Sequence, residues 1–84
     1  MERLSVQYSS QGYYIGNGII SRDYEIADYL NISLAEYERI LLDNGATPHY
    51  YMNVMNEYYF KEREDVIRTL VSLEPYIIMV ELTK

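Results

Sequence analysis

Apolar and polar positions change period several times along the 84 residues, and each change marks an element. Leu4, Val6 and Tyr8 alternate with Ser5 and Gln7, the period of a half-buried strand. Residues 9–12 read as a loop. Residues 13–20 fit a second strand, or a short hairpin folded at Asn17-Gly18, a dipeptide suited to a two-residue turn. Ser21 then caps a helix running to about Leu30, with Ile26, Leu30 and Tyr29 inward and Asp23 and Glu25 in the first turn, where the helix dipole favours acids. Asn31-Ile32 breaks that helix.

Ser33-Leu34-Ala35-Glu36 has the form of a capping box, so a second helix starts there. Its core stripe is Leu34, Tyr37, Ile40 and Leu41, and it stops at Asn44-Gly45, where glycine takes the left-handed cap. Two tyrosine-rich strands follow, over 49–54 and 57–60, with a tight turn near Met55-Asn56. Residues 61–73 read as a third helix with Val66, Ile67, Leu70 and Val71 on one face and a Glu64–Arg68 pair outside. Pro75 is expected to end it. The apolar run 76–82 is long enough for a strand and short for a helix, and its composition predicts a central strand buried on both faces. The expected architecture is α+β, one domain over 1–84, with three helices and a small antiparallel or mixed sheet of three to five strands in the order β(β)ααββαβ.

Eleven tyrosines are too many for so small a core. Tyrosine suits strands, where it half-buries its ring and keeps its hydroxyl wet, and that accounts for most of them. The pairs Tyr13-Tyr14, Tyr50-Tyr51 and Tyr58-Tyr59 nevertheless fall in predicted strands, whose neighbours point to opposite faces. One of each pair should therefore face away from the core and contribute to an exposed patch of the kind found at interfaces.

Charge narrows the choice of partner. Thirteen acids against seven bases give a net charge of −6, concentrated in residues 22–44, which hold six acids and two bases. Such a surface repels phosphate and attracts basic surfaces. Chemistry narrows it further. There is no cysteine, so disulfides and thiolate metal sites are excluded, and His49 is the sole histidine, too few nitrogen or sulfur ligands for zinc. Gly16-Asn17-Gly18 lacks the remaining elements of a phosphate loop, and no serine sits in a recognisable nucleophile elbow. His49 reads as a strand-edge side chain hydrogen-bonded locally; a pH-sensitive contact is its functional alternative. No catalytic residue, cofactor or metal is expected.

No stretch approaches the roughly 18 apolar residues that span a bilayer, and the N-terminus lacks the basic start and apolar run of a signal peptide. A cytoplasmic location with no membrane partner is the expectation. Asn31-Ile32-Ser33, formally a glycosylation sequon, then has no meaning as one.

Residues 24–46, YEIADYLNISLAEYERILLDNGA, resemble a helix-turn-helix. The resemblance is carried by Ile26-Ala27, Leu30, the Asn31-Ile32-Ser33 turn and Ile40-Leu41, with Ala27 small enough for close helix crossing. The hairpin that follows extends it to a winged-helix-like domain over 24–60, and YYFKEREDVIRTL is similar to the segment after the wing in MerR-like and excisionase-like proteins. The resemblance implies that the second helix enters the major groove, presenting Ala35, Glu36, Glu38, Arg39, Leu42 and Asp43, with Asn53, Asn56 and Glu57 on the wing. Three acids against one arginine on that helix oppose phosphate contact. In size and acidity the chain resembles small phage-encoded inhibitors, including DNA mimics and anti-CRISPR proteins.

Two functions follow as expectations. The first is a non-enzymatic module that docks on the basic surface of a partner protein through Asp28, Glu36, Glu38, Arg39, Asp43, Tyr51 and Tyr59. The alternative is a winged helix-turn-helix DNA-binding regulator, with Arg22, Arg39, Lys61, Arg63 and Arg68 supplying phosphate contacts. A homodimer would concentrate those arginines on one side.

Overall fold

The computed structural model describes residues 3–52 and 54–83, and for 51 and 54–56 the backbone only. In chain order the elements are β1 (Ser5–Ser9), β2 (Gly12–Gly16), α1 (Asp23–Leu30), α2 (Leu34–Asp43), β3 (Thr47–Tyr51), β4 (Val54–Tyr59) and α3 (Arg63–Leu82). The fold is α+β, with three helices as expected. Its strands form two separate two-stranded antiparallel sheets, β1–β2 and β3–β4, rather than a single sheet of three to five.

The first hairpin turns at Ser10-Gln11, pairing Ser9 with Gly12 and Ser5 with Gly16. Asn17-Gly18 is therefore not a hairpin turn. The Asn17 side-chain carbonyl instead accepts from the backbone N–H groups of Ile19 and Ile20 at 3.0 and 2.9 Å, an Asx turn that leads the chain out of β2. The second hairpin runs from Thr47↔Tyr59 to Tyr51↔Val54, with a register shift at His49/Tyr50. Its turn lies between Tyr51 and Val54, three residues before the Met55-Asn56 position expected from sequence; Asn53 lies outside the described residues.

One backbone bridge ties the hairpins together. Tyr13 N–H donates to the Phe60 carbonyl at 2.9 Å and Phe60 N–H to the Tyr13 carbonyl at 2.8 Å. Gly12, at φ +131°, makes this approach possible, because a Cβ there would stand 2.8 Å from the Phe60 carbonyl oxygen.

The two short helices cross as the apolar spacing requires, and both end in Schellman motifs. After α1, Asn31 is left-handed and Ile32 N–H reaches the Ala27 carbonyl. After α2, Gly45 is left-handed at φ +95° and Ala46 N–H reaches the Leu41 carbonyl. Ser33 caps α2, its hydroxyl accepting from Glu36 N–H at 3.1 Å. The start of α1 differs from expectation: it begins at Asp23 with Arg22 at the cap position, and no side chain caps it. Ile26, Ala27 and Leu30 of α1 and Tyr37, Ile40 and Leu41 of α2 are buried, whereas Leu34, expected in the stripe, is exposed.

The C-terminal third departs most from the sequence reading. Residues 76–82 are not a strand; α3 continues unbroken through Pro75 to Leu82. Proline removes one intrahelical hydrogen bond, to the carbonyl four residues earlier. That carbonyl belongs to Val71, which is 68% exposed and lies on the outer face of the helix, where an unpaired carbonyl costs less than in the core. Arg3 further fastens the second half of the helix, bonding Glu74 at 2.5 Å and Glu81 at 2.7 Å.

The buried face of α3 is also rotated from the expected one. Val66, Thr69, Leu73 and Ile77 are buried, and Leu70 and Tyr76 pack beside them. Ile67, Val71, Ile78 and Leu82 are exposed. Arg68 pairs with Asp65, not with Glu64. The core that results unites Leu4 and Ile15 from the first hairpin, Tyr58 and Phe60 from the second, and the inner faces of all three helices. Each fully buried aliphatic side chain in it contributes about 1.5–3 kcal/mol.

Two substitutions check these points. Pro75→Ala should raise stability, by up to about 3 kcal/mol in a urea melt, because a helical residue gains its missing donor; a loss of stability would show that the segment does not need helical hydrogen bonding there. Gly12→Ala should lower stability by about 1–3 kcal/mol by forcing Tyr13 away from Phe60.

Candidate functional site

The outer face of α2 brings together three of the residues expected to contact a partner. Arg39 lies between Glu36, one turn before it, and Asp43, one turn after it. It grips Glu36 through two nitrogens, at 2.5 and 3.2 Å, and Asp43 through a third at 2.8 Å. The guanidinium holds the Glu36 carboxyl below its usual range. Glu36 was expected to close the capping box by reaching back to Ser33. It turns to Arg39 instead, since a charged, forked donor outcompetes a single amide. The triad is solvent-exposed and retains one unit of negative charge.

Glu38 leaves that face. Its carboxylate accepts from the Tyr58 hydroxyl at 2.9 Å, pinning α2 to β4. Tyr58 is buried and its phenol is pushed up to about 12, first by burial and then by the Glu38 hydrogen bond. Tyr59 is not a free contact residue either. Its ring is half-buried, edge-on to Tyr14 at 5.8 Å and to His49 at 5.5 Å, and its hydroxyl donates to Glu57 at 2.5 Å. Burial first, then Glu57, pushes that phenol up to about 12. Tyr51 ends β3, and its side chain lies outside the described residues, as does Asn53 and the side chain of Asn56 on the expected wing. Among the described side chains, the exposed tyrosines are Tyr8, Tyr24 and Tyr50. His49 does not find the local hydrogen bond expected of it: Nδ1 is buried and has no partner.

Asp28, on α1, belongs to a different surface. Together with Ile20, Tyr24, Glu25 and Tyr29 it lines an open groove of about 540 Å³ on the outer side of that helix. Among the described residues, Glu25 and Asp28 make no ion pair or side-chain hydrogen bond. Tyr24 is 61% exposed and the neighbouring Ile19 is 72% exposed. The spacing of Tyr24 and Asp28, and of Glu25 and Tyr29, at i and i+4 was a legible sign of this face. Tyr29 packs against the core as helical spacing predicts, and its half-buried ring also borders this groove.

A second acidic cluster, on the opposite side of α1, had no sequence signal. Asp23 opens the helix but is only 6% exposed, and its Oδ2 has no hydrogen-bond partner. Burial, followed by the charges of Glu38 on α2 and Glu57 on β4, pushes its carboxyl up to about 7. Tyr37 is pushed up as well, by burial and then by Asp23 and Glu57. Asp23 thus sits where both short helices meet the second hairpin. Among the described residues, no group of three acidic or imidazole side chains closes on a metal ion, and no helix is long and apolar enough to cross a membrane.

Comparison with protein-family models, with curated proteins and with solved structures returns no match to this chain.

The Asp23 environment sets a pH dependence. The folded state holds this proton more tightly than the unfolded chain does, so its contribution to stability is full below pH 3.8 and declines as pH rises to about 7. Asp23→Asn should flatten that decline and exceed the parent in stability at pH 8, measured as the urea midpoint across pH. The opposite slope from Glu36 is common to both proteins, so midpoint curves that run parallel would contradict the buried-acid account.

Proposed function

We propose that the chain is a small acidic, non-enzymatic protein-binding module that docks on the basic surface of a partner protein. Its most specific form is an inhibitor, of the phage-encoded DNA-mimic or anti-CRISPR kind, that occupies a nucleic-acid channel. The observation that supports this reading is the fate of Arg39. From Asp23 to Asp43 the helices carry six carboxylates and one cation, and two of those carboxylates hold the cation. The exposed charge left on the outer faces of the two helices is negative, the complement of a partner's basic, phosphate-binding surface.

A specific observation favours a second reading. The order of α1, a tight turn, α2 and then an antiparallel hairpin is the order a winged helix-turn-helix DNA reader requires. Its difficulty lies in the cations. Arg39 and Arg68, two of the five proposed phosphate contacts, are engaged by the chain's own carboxylates. Phosphate neutralisation by free cations supplies most non-specific DNA affinity.

Fluorescence anisotropy separates the two. A labelled random duplex is expected to show no binding even at low salt, while a labelled peptide of alternating lysine and arginine binds and is released as salt rises. Duplex binding that falls steeply with salt would overturn the acidic-module reading. Arg39→Ala would then weaken duplex binding, and Glu38→Gln would leave it unchanged or strengthen it.

A further inference from the structure

The geometry points to the outer groove of α1 as an arginine-binding site, in which a guanidinium from a partner protein lies between Tyr24 and Tyr29 and is held by Glu25 and Asp28. This inference rests on the protein-binding reading and assigns it a face and an anchor. The groove lines two parallel rows along the helix, Tyr24 with Asp28 and Glu25 with Tyr29, so each row pairs an aromatic ring with a carboxylate one turn away. Neither carboxylate forms an ion pair or side-chain hydrogen bond with another described residue. That distinguishes them from the acids of α2, which are held by Arg39 or Tyr58.

Three further facts select a cationic occupant. The sequence of α1, DYEIADYL, contains no base at all. Asp28 stands in the last turn of the helix, where the dipole disfavours an acid, so a cation docked there relieves an existing repulsion. Ile20 in the groove and exposed Ile19 beside it offer apolar surface to the stem of a long side chain. Between the two cationic side chains, arginine fits better. Its planar guanidinium stacks on aromatic faces and forks onto carboxylates, whereas the lysine ammonium is a compact, strongly hydrated point charge.

The test uses fluorescein-labelled hexa-arginine and hexa-lysine peptides, titrated by anisotropy into the full chain. Variants are Tyr24→Ala, Asp28→Asn and, as a charge-matched control on α3, Glu64→Gln. All alter exposed or half-buried side chains outside the core. Hexa-arginine should bind several-fold more tightly than hexa-lysine. Tyr24→Ala and Asp28→Asn should each weaken hexa-arginine binding by roughly threefold or more, and the control should stay within about twofold. Equal affinity for the two peptides, or unchanged binding by both α1 variants, would overturn the groove while leaving the acidic-module reading in place. If the parent chain binds neither peptide, both fall together.

Discussion

The backbone bridge between Tyr13 and Phe60 is the constraint from which the rest of the arrangement follows. Neither hairpin is large enough to be stable alone, since two strands bury little surface. Joined end to end through two short hydrogen bonds, they present Leu4, Ile15, Tyr58 and Phe60 to one side. The three helices close over that side. Gly12 is the local condition for the bridge, because any side chain there would collide with the Phe60 carbonyl.

The same arrangement sorts the carboxylates into three environments with different consequences. On α2, Glu36 and Asp43 share one guanidinium in solvent, and the pairing reduces their charge without burying it. At the meeting point of α1, α2 and β4, Asp23 is deprived of water and faces two further acids, so it retains a proton to about pH 7. On the outer side of α1, Glu25 and Asp28 line an open groove beside two tyrosines and pair with no other described residue. Sequence charge density treats these acids as one run. Their capacity to meet a partner differs because solvent access and neighbouring cations differ.

The tyrosines divide in a similar way. Tyr37 and Tyr58 belong to the core, Tyr59 is held between Tyr14 and His49, and Tyr24 is open to solvent. Counting had required that some be exposed. Which ones depends on how each hairpin packs, and the bulge at His49/Tyr50 moves the register of the second one. Tyr59, paired with Thr47 outside that bulge, is half-buried because Tyr14 of the first hairpin and His49 pack against its ring.

Local signals carried the two short helices. The Ser33 cap, the breaks at Asn31 and Gly45, and the stripe of Tyr37, Ile40 and Leu41 all act within a few residues, and backbone sterics and capping bonds enforce them wherever the segment lies. The net charge and the absence of thiols were equally independent of fold. Tertiary structure alone decided the rest. An apolar run such as 76–82 is compatible with strand or helix, and here the helix continues because Leu73 and Ile77, one helical turn apart, complete the core. Burial of Asp23 among α1, α2 and β4, and exposure of Tyr24, depend on how the elements pack together, which no period along the chain encodes.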